Sequence, residues 1–66
     1  MKTSLGINLK RIRKSRMMTM KELEKISGVT QATISCVETG SVQQVRLGTL
    51  KSLADALEVT ADDLLK

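Results

Sequence analysis

Apolar residues recur in steps of three and four along this 66-residue chain: Leu5, Leu9 and Ile12 with basic residues between them, then Leu47, Leu50, Leu53, Ala54 and Leu57. That spacing brings side chains to one helical face, so each stripe predicts an amphipathic helix. The first runs over about residues 5–16, capped by Ser4. Three further starts share one signal, an apolar residue, then Thr, then a second apolar residue five positions after the first. They are Met18-Thr19 with Leu23, Val29-Thr30 with Ile34, and Val59-Thr60 with Leu64. A threonine hydroxyl accepts an orphan backbone N–H at a helix start, and the flanking apolar pair closes over it as a staple. Glu22 and Asp63 stand at the capping-box position after their threonines. The second helix then spans Met20 to Ser27 and ends at Gly28, and the third spans Gln31 to Thr39 and ends at Gly40. Glycine readily takes the left-handed conformation that closes a helix. Ser41 to Arg46 read as a loop, the Leu47–Leu57 stripe as a fourth helix, and Ala61 onward as a fifth with Leu64 and Leu65 turned inward.

Only Gly28, Val29 and Thr30 separate the second and third helices, which forces a steep crossing between them. No strand signal, linker or low-complexity segment competes with this pattern, so the expected fold is all-α, a compact five-helix bundle forming one domain over residues 1–66. A chain this short buries about 60 % of its unfolded surface, and without Phe, Tyr or Trp its core must be aliphatic. The missing rings also disfavour single-stranded nucleic acid as a ligand, since such proteins usually stack bases on aromatics.

The net charge of +4 is uneven: residues 1–33 carry eight Lys/Arg against two acids, and residues 34–66 carry three against five. The N-terminal half therefore faces a polyanion. With no His and only Cys36, neither a zinc site nor an intrachain disulfide is expected. No apolar run suits a signal peptide or a membrane span, so a cytoplasmic protein with no membrane, metal or cofactor is expected. Enzymatic chemistry lacks its parts: no nucleophile has a base nearby, no Gly-rich loop cradles phosphate, and Asp62-Asp63 sits where acids cap a helix.

The segment from Thr19 to Glu38, TMKELEKISGVTQATISCVE, resembles the helix-turn-helix of the phage repressor and Cro family, also called the XRE family. Leu23, Gly28, Val29, Ile34 and Val37 match its core and turn positions, and Ser35, Glu38 and Gly40 follow its I-S-x-x-E-x-G pattern. Leu50 to Leu65 is similar to its fourth and fifth helices, so the likeness covers nearly the whole chain. This sequence departs from the family at three places: Met20 replaces a usual Gln, Glu24 a usual Ala at the close helix crossing, and Val45-Arg46 a common Pro-Ser. The Glu24 side chain must escape to solvent or the crossing must widen.

The resemblance implies a lambda-repressor-like domain whose helices two and three form the motif, and a repressor that reads double-stranded DNA as a homodimer on a palindromic operator. Base contacts fall by position on Gln31, Ala32, Thr33 and Cys36. Gln31 suits adenine, and Ala32 and the Thr33 methyl suit a thymine methyl. Cys36 stays open between an apolar base contact, a redox sensor and a tolerated small side chain. Phosphate contacts fall on Thr19, Met20 through its N–H, Lys21, Thr39, Ser41, Gln43 and Arg46. The basic run from Lys10 to Lys14, with Arg16, supplies long-range attraction. Arg13 and Glu38 correspond to an ion pair of the family, the alternative being two solvated charges. Val59, Leu64 and Leu65 either form a twofold contact or complete the monomer core. The competing function is a protein-docking module of the same fold, such as an antitoxin or co-regulator.

Overall fold

Each of the three threonines stands immediately ahead of a helix, and each hydroxyl accepts the backbone N–H three residues on: Thr19 from Glu22, Thr30 from Thr33, Thr60 from Asp63. The computed structural model describes residues 4–41 and 45–66, which form five helices and no strand. These are α1 (Ser4–Ser15), α2 (Met20–Ser27), α3 (Gln31–Thr39), α4 (Leu47–Ala56) and α5 (Ala61–Leu65). The bounds of α2 and α3 agree with the sequence reading, while α1 begins at Ser4 itself, so that residue is helical instead of standing ahead of the helix. Both capping boxes close, with Glu22 accepting the Thr19 N–H and Asp63 accepting the Thr60 N–H.

Those backbone bonds, followed by the threonine hydroxyls, hold the Glu22 and Asp63 carboxyls below their ordinary values; Lys66 adds to the effect on Asp63. A depressed carboxylate contributes stability that is present above the ordinary carboxylate range and is lost as pH falls through the lowered value.

α1 packs on α3 and α5, α2 on α3 and α4, and α4 on α5. The core they enclose is aliphatic: Leu5, Leu9 and Ile12 from α1, Leu23 from α2, Ile34 and Val37 from α3, Leu50, Leu53, Ala54 and Leu57 from α4 and its end, and Leu64 from α5. Two apolar residues depart from expectation. Leu47 is 76 % exposed because the first turn of α4 runs past the part that its neighbours cover. Leu65 is 52 % exposed beside a fully buried Leu64; adjacent helical positions point about 100° apart, and on the short α5 the one taken by Leu64 faces the core. No helix among the described residues is long and apolar enough to cross a membrane.

Two helix ends close without glycine. Met17 (φ 57°) and Glu58 (φ 58°) adopt the left-handed conformation. Met18 N–H reaches back to Arg13 O and Met17 N–H to Lys14 O, while Val59 N–H bonds Ala54 O and Glu58 N–H bonds Asp55 O. This is the double bond pattern of a Schellman end. It turns Met18 and Val59 back onto the core, where each then staples the following helix.

The backbones of α1 and α3 approach closely at the buried Gly6, where a Cβ would run into the carbonyl oxygen of Val37 and lie 3.2 Å from that of Glu38. Backbone oxygens cannot move aside as a side chain does. Gly6→Ala is therefore expected to lose about 1–3 kcal/mol, read as a lower urea midpoint at unchanged slope. Met17→Gly should gain about 1 kcal/mol by relieving the left-handed strain at a site that is 90 % exposed; an unchanged or lower midpoint refutes that account.

Candidate nucleic-acid interface

The turn between α2 and α3 is built from three residues with every local role filled. Gly28 (φ 79°) closes α2 by donating to Glu24 O at 2.8 Å. Val29 N–H then bonds the Ser27 hydroxyl at 3.1 Å while its side chain packs on the core. Thr30 caps α3. These contacts fix the crossing that the short turn demands and hold α3 as a rigid rod across α2.

α3 is anchored by Ile34, Val37 and Glu38, all buried. Ala32, Cys36 and Thr39 fall at i, i+4 and i+7 and so share one outward stripe, with Gln31 and Ser35 beside it. Gln31, Ala32 and Thr39 are exposed, and Ser35 and Cys36 are half-buried. Thr33 lies off this stripe: its hydroxyl bonds that of Thr30 at 2.9 Å, and it lines an open cleft of about 550 Å³ between the turn and the start of α4. Of the four base-contact candidates, Gln31, Ala32 and Cys36 thus share a surface, and Thr33 faces its edge. Ser35, taken from the sequence only as a pattern residue, belongs to the same surface.

The candidates for phosphate contact are spread around that rod. Lys21, Thr19, Thr39, Ser41 and Arg46 are exposed, and Met20 is half-buried against the core, which leaves its backbone as the available donor. Thr39 and Ser41 join hydroxyls at 3.1 Å. Arg46 precedes α4 without a side-chain capping bond and lines the cleft with Gly48, Thr49 and Ser52. Gln43 lies outside the described residues.

Glu24 escapes the crowded helix crossing by reaching forward along the chain. Its Oε2 accepts the backbone N–H of Gln31 at 3.0 Å, satisfying an orphan donor at the start of α3. Nothing in the spacing of the sequence announced this contact, because it depends on the angle at which the two helices meet.

Arg13 and Glu38 form a buried ion pair. Arg13 Nε donates to Glu38 Oε2 at 2.7 Å and NH2 to Oε1 at 3.1 Å, a two-pronged geometry. NH1 donates to Met18 O at 2.6 Å. Hydrogen bonding to Glu38, which outweighs burial, raises the guanidinium above its already high ordinary pKa. The solvated alternative is excluded by side-chain exposures of 8 % and 1 %.

Among the three residues expected at a twofold contact, Leu64 is corrected: it is fully buried in the monomer and offers no surface. Val59 is half-buried and Leu65 exposed. The short α5 is held to α1 by Asn8, whose side-chain amide donates to Leu64 O at 3.0 Å and to Lys66 O at 3.2 Å. No group of three or more His, Cys, Asp or Glu among the described residues is placed to hold a metal.

The Helix-turn-helix family matches residues 9–64. The HTH-type transcriptional repressor RghR of Bacillus subtilis is 36 % identical over 62 residues, covering 94 % of this chain and 46 % of RghR. The uncharacterized HTH-type transcriptional regulator YozG of the same organism is 33 % identical over 60 residues, 91 % of this chain and 71 % of YozG. A third relative, RghRB, is 35 % identical, and the chain spans 43 % of its length, so it corresponds to under half of two of these relatives. Among solved structures, the biofilm regulator SinR in complex with DNA superimposes with a TM-score of 0.90 at 24 % identity, over 94 % of this chain and 98 % of that one. The restriction-modification controller protein C.AhdI from Aeromonas hydrophila gives 0.87 at 26 %, over 94 % and 92 %.

Removing one member of the buried pair strands the other. Glu38→Ala is expected to cost about 3–5 kcal/mol, comparable to the whole stability of a domain this small, about 3–10 kcal/mol. Replacing both residues, Arg13→Met with Glu38→Leu, should recover much of that loss in chemical denaturation, short of the full amount because Met18 O loses its donor. A double variant no more stable than Glu38→Ala contradicts the stranded-charge account.

Proposed function

We propose, from the premise that this chain belongs to the helix-turn-helix family, that it is the DNA-binding part of a transcriptional regulator, with α3 lying in the major groove. The observation that carries this reading is the outward face of α3. Gln31, Ala32 and Thr39 are exposed and Ser35 and Cys36 half-buried on this face, while the helix beneath them is anchored by the buried Ile34, Val37 and Glu38. A helix fits the major groove, and side chains of this size reach base edges there. Gln31 pairs with adenine through its amide, Ala32 meets a thymine methyl, and Thr33 works from the border of the face. Thr19, Met20 N–H, Lys21, Thr39, Ser41, Gln43 and Arg46 set register on the phosphates without reading sequence.

This is binding, not catalysis, in keeping with relatives named as transcriptional regulators. A module of this size reads only a few base pairs, so two copies are needed on a palindromic site, with half-sites about one helical turn apart. Leu65 and Val59 are the apolar residues available for that twofold contact. Repression by occupancy of an operator in the cytoplasm is the simplest activity for such a unit, and RghR is named as a repressor.

With about four phosphates neutralised by Lys21 and Arg46 of the two copies, duplex affinity should fall on the order of a hundredfold between about 50 and about 200 mM salt through counterion release. Gln31→Ala should lose about 1–3 kcal/mol on the preferred site and relax the choice at one base pair, while leaving the salt slope unchanged. Fluorescence anisotropy with selected and scrambled duplexes reads both. Duplex binding that is absent or indifferent to salt would instead favour a module that docks protein.

A further inference from the structure

Glu24 stands where the family it resembles usually has a small residue, and its carboxylate lies against the first residue of α3. Helix α3 begins with backbone donors that lack intrahelical partners. Thr30 takes the N–H of Thr33, and the Glu24 carboxylate takes that of Gln31. A negative group is thereby pinned at the start of α3, adjoining a residue whose own side chain is exposed. Glu24 is only half-buried, and its second oxygen, Oε1, makes no hydrogen bond or ion pair among the described residues. Lys21 and Lys25 stand on the same helix and pair with it in neither case. The anchored oxygen fixes the carboxylate, and the other remains as an acceptor that cannot donate.

We propose that Glu24 is a specificity-determining residue: held by Gln31 N–H, it accepts from the amino group of a cytosine neighbouring the base that Gln31 reads. The assignment rests on the duplex-binding reading above and deepens it. In the major groove, cytosine offers its N4 amino donor to a carboxylate, whereas guanine presents N7 and O6 and thymine presents O4, all acceptors. Adenine also carries an amino group, but N7 lies beside it and faces the same carboxylate unfavourably. A fixed charge therefore discriminates twice, by the bond it forms with cytosine and by the desolvated, unpaired state it is left in against any other base. The same charge opposes phosphate, so it weakens non-specific binding while sharpening choice.

The test is selection of duplexes from a random pool by the wild-type chain, Glu24→Ala and Glu24→Gln, followed by titration of matched and substituted sites. The wild type should enrich cytosine beside the adenine assigned to Gln31 and prefer it about fivefold to tenfold. Glu24→Ala should lose that preference alone, keep the others, and bind scrambled duplex several-fold more tightly. Glu24→Gln keeps an acceptor for Gln31 N–H but gains a donor, and should move the choice toward guanine or thymine. Identical selected sequences for all three chains overturn the proposal. So does a uniform loss of preference at every position in Glu24→Ala together with a lower melting temperature, which marks a purely structural tie. A wild-type chain that enriches no duplex fails earlier and removes the DNA-binding reading itself; enrichment without the Glu24-dependent position removes only this one.

Discussion

One guanidinium holds the geometry of this domain. Arg13 reaches from α1 to the carboxylate of Glu38 near the end of α3 and to the carbonyl of Met18 ahead of α2. It thus fixes the distances among the three helices that place the candidate interface. An aliphatic core without a single ring supplies non-directional adhesion, which tolerates sliding and rotation. Planar, paired hydrogen bonds do not tolerate either. A buried ion pair adds little net stability over an apolar replacement, so its contribution here is definition of one arrangement. The contact of Gly6 with the Val37 and Glu38 carbonyls works in the same direction, since it lets α1 approach α3 closely enough for Arg13 to reach.

The short connections achieve order by giving residues two tasks. Met18 and Val59 are each the apolar residue after a Schellman end and the staple ahead of the next helix. Val29 links the glycine that closes α2 to the threonine that opens α3. A chain of this size has few residues to spare for loops, and ordering costs about 1–2 kcal/mol of backbone entropy per residue. Merging one helix's end with the next one's start keeps that cost low for the surface it buries.

These features also mark where the sequence was legible. The starts at Thr19, Thr30 and Thr60 could be read because capping is local, and the ends at Gly28 and Gly40 because glycine adopts a left-handed conformation without strain. Met17 and Glu58 adopt it against preference, under tertiary pressure to return Met18 and Val59 to the core, and no local signal announces that. Leu47 and Leu65 continue apolar stripes in sequence but lie beyond what neighbouring helices cover. Gln31, Ala32 and Cys36 could be named from the family resemblance, and helical spacing is what brings them to one surface. Thr33 was harder to place, since its border position next to α4 is set by a helix that starts 14 residues downstream. Glu24 stood out as a departure, yet its partner became visible only once the crossing angle was known.

The two ends of α3 are settled by carboxylates under opposite electrostatic conditions. At its start, where the helix dipole is positive, Glu24 sits favourably and needs only the Gln31 N–H. Near its end, where the dipole is negative, Glu38 is disfavoured twice, by burial and by the field, and Arg13 offsets both. The outward face between them carries no charge at all: Gln31, Ala32, Ser35, Cys36 and Thr39 are neutral. Positive charge lies elsewhere, on the exposed Lys21, Lys25, Arg46 and the outer face of α1. Attraction is consequently carried by side chains outside the outward face of α3. A neutral reading face gains little from any phosphate, so its preference among ligands rests on hydrogen-bond matching and shape, while the surrounding cations raise the affinity for all of them alike.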